Sequence, residues 1–395
     1  MELAIVGAGI FGMAAAIELR RRNHKVTLFD QGPIPNEMAS STDVAKAIRR
    51  DGYFPEEPYI EMVERAQQRW LEWNEYSSNS VYYQVGKVVE YTASEFQPGT
   101  RDYESIMYLK NQGNQIDLLS LKQARDKFPQ FAFSDNPEHQ IVYDPWAGYI
   151  DSGRLLSNLK RLAVQMGVEI KENCRVLDVE ENAGKVTIQT KEAQFNYDRS
   201  IIAAGPWICR LVPEFEEIVS ITRQAMAFFR PLDSRSFHPS VMPVFVIYPV
   251  EKGWYGFPLL RDGTVKIAMD LVGDEVDPDI ERKVPEKFIE AFKQFAADKI
   301  PLLAEGEFAG ARSCLYTNTP DGRFVIDWKP GSSRILLAGG GSGHGFKFGG
   351  VIGEVIADSM EEKENTFTNY FRIGNRFMEA TKRTSGRSYH DARNA

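Results

Sequence analysis

Residues 2–30 read ELAIVGAGIFGMAAAIELRRRNHKVTLFD. The stretch opens with an apolar run of strand character and passes through Gly7, Gly9 and Gly12. It then continues as an alanine-rich helical segment and closes on a second apolar strand ending at Asp30. Three glycines spaced G-x-G-x-x-G between a strand and a helix predict a βαβ unit whose turn cradles a pyrophosphate. The helix N-terminus contributes unpaired N–H groups and the positive end of its dipole, and the glycines let the ligand approach the backbone. Asp30 stands at roughly the twenty-residue offset where a carboxylate accepts hydrogen bonds from a ribose hydroxyl pair, which favours a dinucleotide without a 2′-phosphate.

A second glycine turn lies near the other end of the chain, RILLAGGGSGHGF at residues 334–346. Its place after an apolar strand predicts a C-terminal segment that returns to the first sheet to meet a long ligand. A nicotinamide-binding domain is usually contiguous, so this return favours FAD.

Between these ends the periodicity changes several times. Tyr59, Val63, Ala66, Trp70 and Trp73 form one stripe of an amphipathic helix, read as core. Ser120 and Gln123 are spaced as a capping box, and Leu155, Leu159, Leu162 and Met166 predict a helix stopped by Gly167. From about residue 211 to 318 strands rich in β-branched and aromatic residues predominate, with one helix in PEKFIEAFKQFAADK. The expected fold is α/β, with α+β character in the second domain. A discontinuous Rossmann-like FAD-binding domain takes residues 1–80, 150–210 and 319–385. A substrate domain with a large mixed or antiparallel β-sheet takes 81–149 and 211–318, and 386–395 form a polar tail.

The 395 residues carry a net charge of −8 with dispersed basic residues, which argues against nucleic acid as a partner and for a small molecule. Only Cys174, Cys209 and Cys314 are present, too few for a disulfide framework, so a reducing, cytoplasmic setting is expected. His24, His139, His238, His344 and His390 show no metal-ligand spacing, and no metal is expected. The start of the chain has no leader pattern and no apolar run reaches membrane-spanning length, so no membrane association is expected.

Five ordered segments carry a resemblance over nearly the whole chain: VGAGIFGMAAAIEL, SSTDVAKAIRRDGY, YGFPLLRDGTVKIAMD, GARSCLYTNTPDGRFVIDW and GSGHGFKF. Together they resemble the flavin amine oxidases of the D-amino acid oxidase type. Within that type the resemblance is to the group of monomeric sarcosine oxidase, N-methyltryptophan oxidase, pipecolate oxidase and the fructosyl amino acid oxidases, or amadoriases.

The resemblance implies roles for individual residues. Cys314, in CLYTNT, matches the cysteine that binds the 8α carbon of FAD through a thioether. Val176, in CRV, matches a residue whose backbone meets the adenine, and Ser40, Gly343, Gly345 and Phe346 fall at further cofactor-binding places. Lys266 matches a lysine whose charge assists reduction of O2. Strand alternation by itself points Lys266 away from Val265 and Ile267, toward either solvent or a polar cavity. Lys46 stands where sarcosine oxidase has an arginine against the flavin, and amadoriases resemble this chain in having lysine there. Arg49 matches the arginine on the substrate carboxylate, a role suited to its fork; read alone it is a solvated charge at a helix end. His344 and Lys347 match residues beside the flavin, with Lys347 also near the substrate carboxylate, and Tyr255 falls at a substrate-binding place. Asp270 replaces the histidine of sarcosine oxidase, as an acid does in amadoriases, and implies a substrate with hydroxyl or cationic groups.

The expected activity is oxidation of a secondary amine, an N-substituted amino acid such as sarcosine or a fructosyl amino acid. Hydride passes to FAD, the imine is hydrolysed and O2 is reduced to H2O2. The partners are then the amine and O2, and the protein is expected to be a monomer. Two other readings fit the same residues: a dehydrogenase that passes electrons to a quinone or protein, distinguished by absent peroxide, and a flavin-binding protein without catalysis.

Overall fold

The computed structural model describes residues 1–76, 79–248, 253–270, 273–374 and 376, without the side chains of Tyr76 and Asp270. The polar tail and the Asp270 side chain therefore lie outside the described residues.

The opening stretch forms β1 (Glu2–Val6), α1 (Ile10–Arg21) and β2 (Lys25–Phe29). β1 runs parallel to β2 on one side and to Arg199–Ile202 on the other. The full six-stranded order is Val325–Trp328, Ile335–Gly339, Arg199–Ile202, β1, β2, Glu169–Lys171. Only the Val325–Trp328 edge strand is antiparallel to its neighbour. The C-terminal glycine-rich segment thus does return beside the N-terminal unit, because Ile335–Gly339 pairs with the strand next to β1. β1 is buried apart from Glu2, as expected for a parallel sheet covered on both faces. α1 packs on the helix Gly349–Met360 and on the helix Ser152–Gln165.

A second, eight-stranded sheet has the order Glu307–Asn318, Ser220–Arg230, Val265–Asp270, Gly253–Gly256, Val244–Ile247, Lys87–Tyr91, Gln140–Asp144, Asp117–Leu119. It is mixed: Val244–Ile247 and Lys87–Tyr91 pair parallel, and the other neighbours are antiparallel. The helix Glu286–Lys299 buries Phe292 and Phe295 against one face, where the rings of Trp254 and Phe295 stack with centroids 4.4 Å apart.

Two smaller elements position the site. β3 (Lys46–Ile48) pairs with Gly148–Ile150, and α2 (Glu57–Tyr76) carries the expected stripe, with Tyr59, Val63, Ala66 and Trp70 buried. Trp70 donates its indole N–H to the carbonyl of Lys347 at 3.1 Å, so this core stripe also anchors the GSGHGFKF segment. The Ser120–Gln123 capping box is present, and Gly167 ends its helix at φ +83°. Among the described residues no helix is long and apolar enough to cross a membrane.

Candidate active site

Two cavities meet at Lys46, Tyr316, Ser342, Gly343 and Phe346. The first runs from Asp30, Arg175 and Val176, past Gly7 and Gly9 at the mouth of α1, to this junction; Ser40 and Gly345 also line it. Gly7 lies at φ +103°, and a Cβ there would stand 2.4 Å from the carbonyl oxygen of Ala203. Gly12 lines neither cavity. A Cβ on it would stand 1.9 Å from the Gly7 carbonyl, so it serves the close approach of α1 to the turn. Asp30 Oδ2 accepts from the N–H of Ala8 at 2.8 Å, while Oδ1 accepts from the Gly32 N–H and Asn36 Nδ2. Besides facing the cavity, Asp30 therefore ties the glycine turn to the loop that follows β2.

This shape fits a dinucleotide. Bare backbone faces a long cleft, the 12-residue helix α1 points its N-terminus into it, and Gly343, at φ +78°, stands where a Cβ would strike the Tyr316 ring at 2.5 Å. Gly7, Gly9, Asp30, Ser40 and Val176 would hold the nucleotide half of such a ligand, and Gly343, Gly345 and Phe346 the end nearer the junction.

The second cavity is lined by Lys46, Arg49, Tyr255, Lys266, His344 and Lys347 together with Gly343 and Phe346 of the junction, so eight of the expected residues face one space. Lys266 is 1% exposed: the face of the strand that carries it meets the cavity, not water. Its ammonium donates to Asp43 Oδ2 and, at 3.1 Å, to the carbonyl of Ala45. The same Asp43 oxygen lies 3.3 Å from Lys46 Nζ. Burial pushes the Asp43 carboxyl up, but the ammonium groups of Lys266 and Lys46 overcome it and hold Asp43 below the usual carboxylate range. Burial pulls Lys266 below the ordinary lysine range, against Asp43 and with Lys46. For Lys46 burial acts in the same sense, yet Asp43 prevails and the ammonium is raised.

Arg49 follows a strand and does not end a helix, and its guanidinium is enclosed. Burial opposes its charge, but Tyr53 and Asp51 raise it further. It donates to the Asp51 carbonyl. Lys347 Nζ donates to Tyr53 Oη at 2.9 Å and to the carbonyl of His344 at 3.0 Å. His344 Nε2 lies 2.9 Å from the Gly322 carbonyl, which can only accept, so Nε2 carries the proton and Nδ1 is left to accept from Tyr53 Oη at 3.4 Å. Burial and then Lys347 hold this imidazole well below its usual range, and it stays neutral.

Cys314 is buried and lines neither cavity. Its Sγ lies 3.7 Å from the carbonyl of Ser40, and its side chain shares a strand face with Tyr316 at the junction. Among the described residues no group of His, Cys, Asp and Glu could hold a metal.

A protein family described as FAD dependent oxidoreductase matches residues 2–359. The chain belongs to that family. FAD-dependent oxidoreductases similar to it include the monomeric sarcosine oxidase of Bacillus sp. (strain NS-129), 29% identical over 365 residues that cover 90% of this chain and 92% of that protein. The N-methyl-L-tryptophan oxidase of Salmonella arizonae is 29% identical over 373 residues, covering 93% and 96%. The crystal structure of the deglycating fructosamine oxidase of Aspergillus fumigatus, Amadoriase II, has the same fold. Its TM-score is 0.80 at 21% identity over 99% of this chain and 96% of that one. NikD, an amino acid oxidase essential for nikkomycin biosynthesis, also has a TM-score of 0.80, at 16% identity over 92% and 95%.

The sequence singled out neither Asp43 nor the Asp51, Lys87 and Asp102 group that shares the second cavity. The one local signal for Asp43 is its place three residues before Lys46 in SSTDVAKAIRR.

Proposed function

We propose that this FAD-dependent oxidoreductase is an oxidase of N-substituted amino acids. It dehydrogenates the C–N bond of a secondary amine to an imine, and water cleaves the imine to a carbonyl compound and a primary amine. O2 takes up the two electrons and two protons as hydrogen peroxide. The observation that carries this reading is the junction of the two cavities at Lys46, through which the dinucleotide cleft opens into the cavity lined by Lys266, Arg49 and Lys347. The relatives named for oxidation of sarcosine and N-methyl-L-tryptophan support the same class of amine.

FAD bound in the first cavity supplies the two-electron acceptor. Arg49 and Lys347 present the cations that orient a substrate carboxylate, and the fork of Arg49 suits its two oxygens. Neutral His344 cannot act as a buried cation; it accepts from Tyr53 and thereby sets the hydroxyl that receives Lys347. Lys266, fixed by Asp43, places a positive charge where the anion of partly reduced oxygen develops. On the sequence resemblance, Tyr255 and Asp270 bind the substrate, and Asp270 favours a fructosyl or otherwise polar N-substituent over the methyl group of sarcosine.

In this reading Cys314 would hold FAD through a thioether to its 8α carbon, the thiol S–H and one C–H of the 8α methyl being given up and the two electrons passing by way of the flavin ring to O2. The 3.7 Å contact of Sγ with Ser40, a residue of the first cavity, supports it. The enzyme acts as a cytoplasmic monomer. The test is an anaerobic screen of N-substituted amino acids for loss of flavin absorbance, followed by readmission of O2 and measurement of peroxide.

A further inference from the structure

Asp51, Lys87 and Asp102 bring a second set of charges to the wall of the substrate cavity. They come from three parts of the chain: Asp51 from the segment after β3, Lys87 from the start of the strand Lys87–Tyr91, and Asp102 from the first turn of α3 (Arg101–Asn111). Asp51 is 4% exposed. Its Oδ2 accepts from Lys87 Nζ, but its Oδ1 is buried without a hydrogen-bond partner among the described residues. A buried carboxylate oxygen that lacks a donor is unfavourable unless a ligand supplies one.

Asp102 faces the same space. Burial and then the charge of Asp51 push its carboxyl up to about 6, against the opposing pull of Arg49, Lys87 and Arg101. The two carboxyl groups therefore repel across the cavity wall. A neutral hydroxyl would give Asp51 Oδ1 its donor and leave the repulsion in place, whereas an ammonium group satisfies both. The balance sharpens when Arg49 is drawn to a substrate carboxylate, because one of the three cations that offset the pair is then shared.

We propose that Asp51 and Asp102 form a subsite for an ammonium group on the substrate, separate from the amine that is oxidised. The preferred substrate is then an N-substituted amino acid with a cationic side chain. The inference rests on the second cavity being the amine site, and its test separates the two claims.

Three probes of similar length serve: Nα-methyl-lysine, Nα-methyl-norleucine and Nα-methyl-6-hydroxynorleucine, each followed by anaerobic flavin bleaching with the holoenzyme. Wild type should favour the lysine compound over the norleucine compound by about tenfold or more in kcat/KM, with the hydroxyl compound well below the lysine compound. Asp102→Asn should bring the lysine-to-norleucine ratio to within about threefold of one, and Asp102→Glu should restore it. The wild-type comparison stands whether or not a variant folds. Equal rates for the first two probes, a ratio that survives Asp102→Asn, or a hydroxyl compound that matches the lysine compound would each overturn the subsite. Bleaching by a fructosyl amino acid but by none of the three would overturn the subsite alone, and bleaching by neither kind of compound would overturn the amine-oxidase reading and the subsite with it.

Discussion

The Asp43 carboxylate accepts a hydrogen bond from the Lys266 ammonium across 223 residues of sequence, with each side chain 1% exposed. Two charges so far from water are tolerated only as partners, since desolvating either alone costs several kcal/mol. Lys46 approaches the same carboxylate oxygen, so one anion holds Lys266 of the second cavity and Lys46 of the junction. The cluster carries a net positive charge beside the end of the cofactor cleft.

Lys266→Met tests the purpose of that charge. The oxygen half-reaction creates a new anion and the amine half-reaction does not. Reoxidation of reduced flavin should therefore slow by about a hundredfold or more, while anaerobic reduction by amine changes much less. Stopped-flow measurement of each half-reaction reads the two effects separately, and equal losses in both would remove Lys266 from the oxygen step.

Asp102 should leave a signature in stability against pH. Its carboxyl is raised to about 6 in the folded protein, above the value near 4 of an unfolded chain. The folded state thus keeps a proton that the unfolded state releases, so this group's stabilising effect is full below about pH 4 and is lost as pH rises through about 6. Denaturant unfolding of Asp102→Asn and wild type should differ little at about pH 4. By about pH 7 the variant should have gained about 2 kcal/mol relative to wild type. A difference that does not change with pH would contradict the assignment.

Covalent attachment through Cys314 predicts that acid-precipitated wild-type protein stays yellow and that precipitated Cys314→Ala releases its flavin to the supernatant. Absorbance of pellet and supernatant reads this directly. Colour lost equally from both proteins would leave Cys314 as a small buried packing residue.

The parts of this molecule that were legible in its sequence are those whose meaning is local. The spacing of Gly7, Gly9 and Gly12 announces the turn because the turn is built within a few residues, and Asp30 follows at an offset fixed by one helix and two strands. The stripe from Tyr59 to Trp70 announces the α2 core face in the same way. Lys266 was legible only in part: alternation fixes the face of a strand but not what that face meets, and burial against Asp43 is a property of the assembled sheets. Arg49 looked like a surface charge because nothing near it in sequence shows that Asp51, Tyr53 and Lys347 enclose the same space. Asp51 and Asp102 give no signal of their own, since a lone aspartate has no periodicity, and Asp43 has only its place three residues before Lys46. Asp51 and Asp102 acquire meaning when the segment after β3 and the first turn of α3 bring them to one cavity, and Asp43 when it meets Lys266 and Lys46.

In the proposed reaction the junction of the two cavities joins an amine to FAD on one side and O2 to the reduced cofactor on the other. The most direct measurement uses the purified holoenzyme with an N-substituted amino acid, first without air and then with O2 readmitted. The flavin band should bleach fully under anaerobic conditions, return on exposure to O2, and yield about one H2O2 per amine consumed. A flavin that no N-substituted amine bleaches, or a bleached flavin that O2 fails to restore while a quinone does, would contradict it.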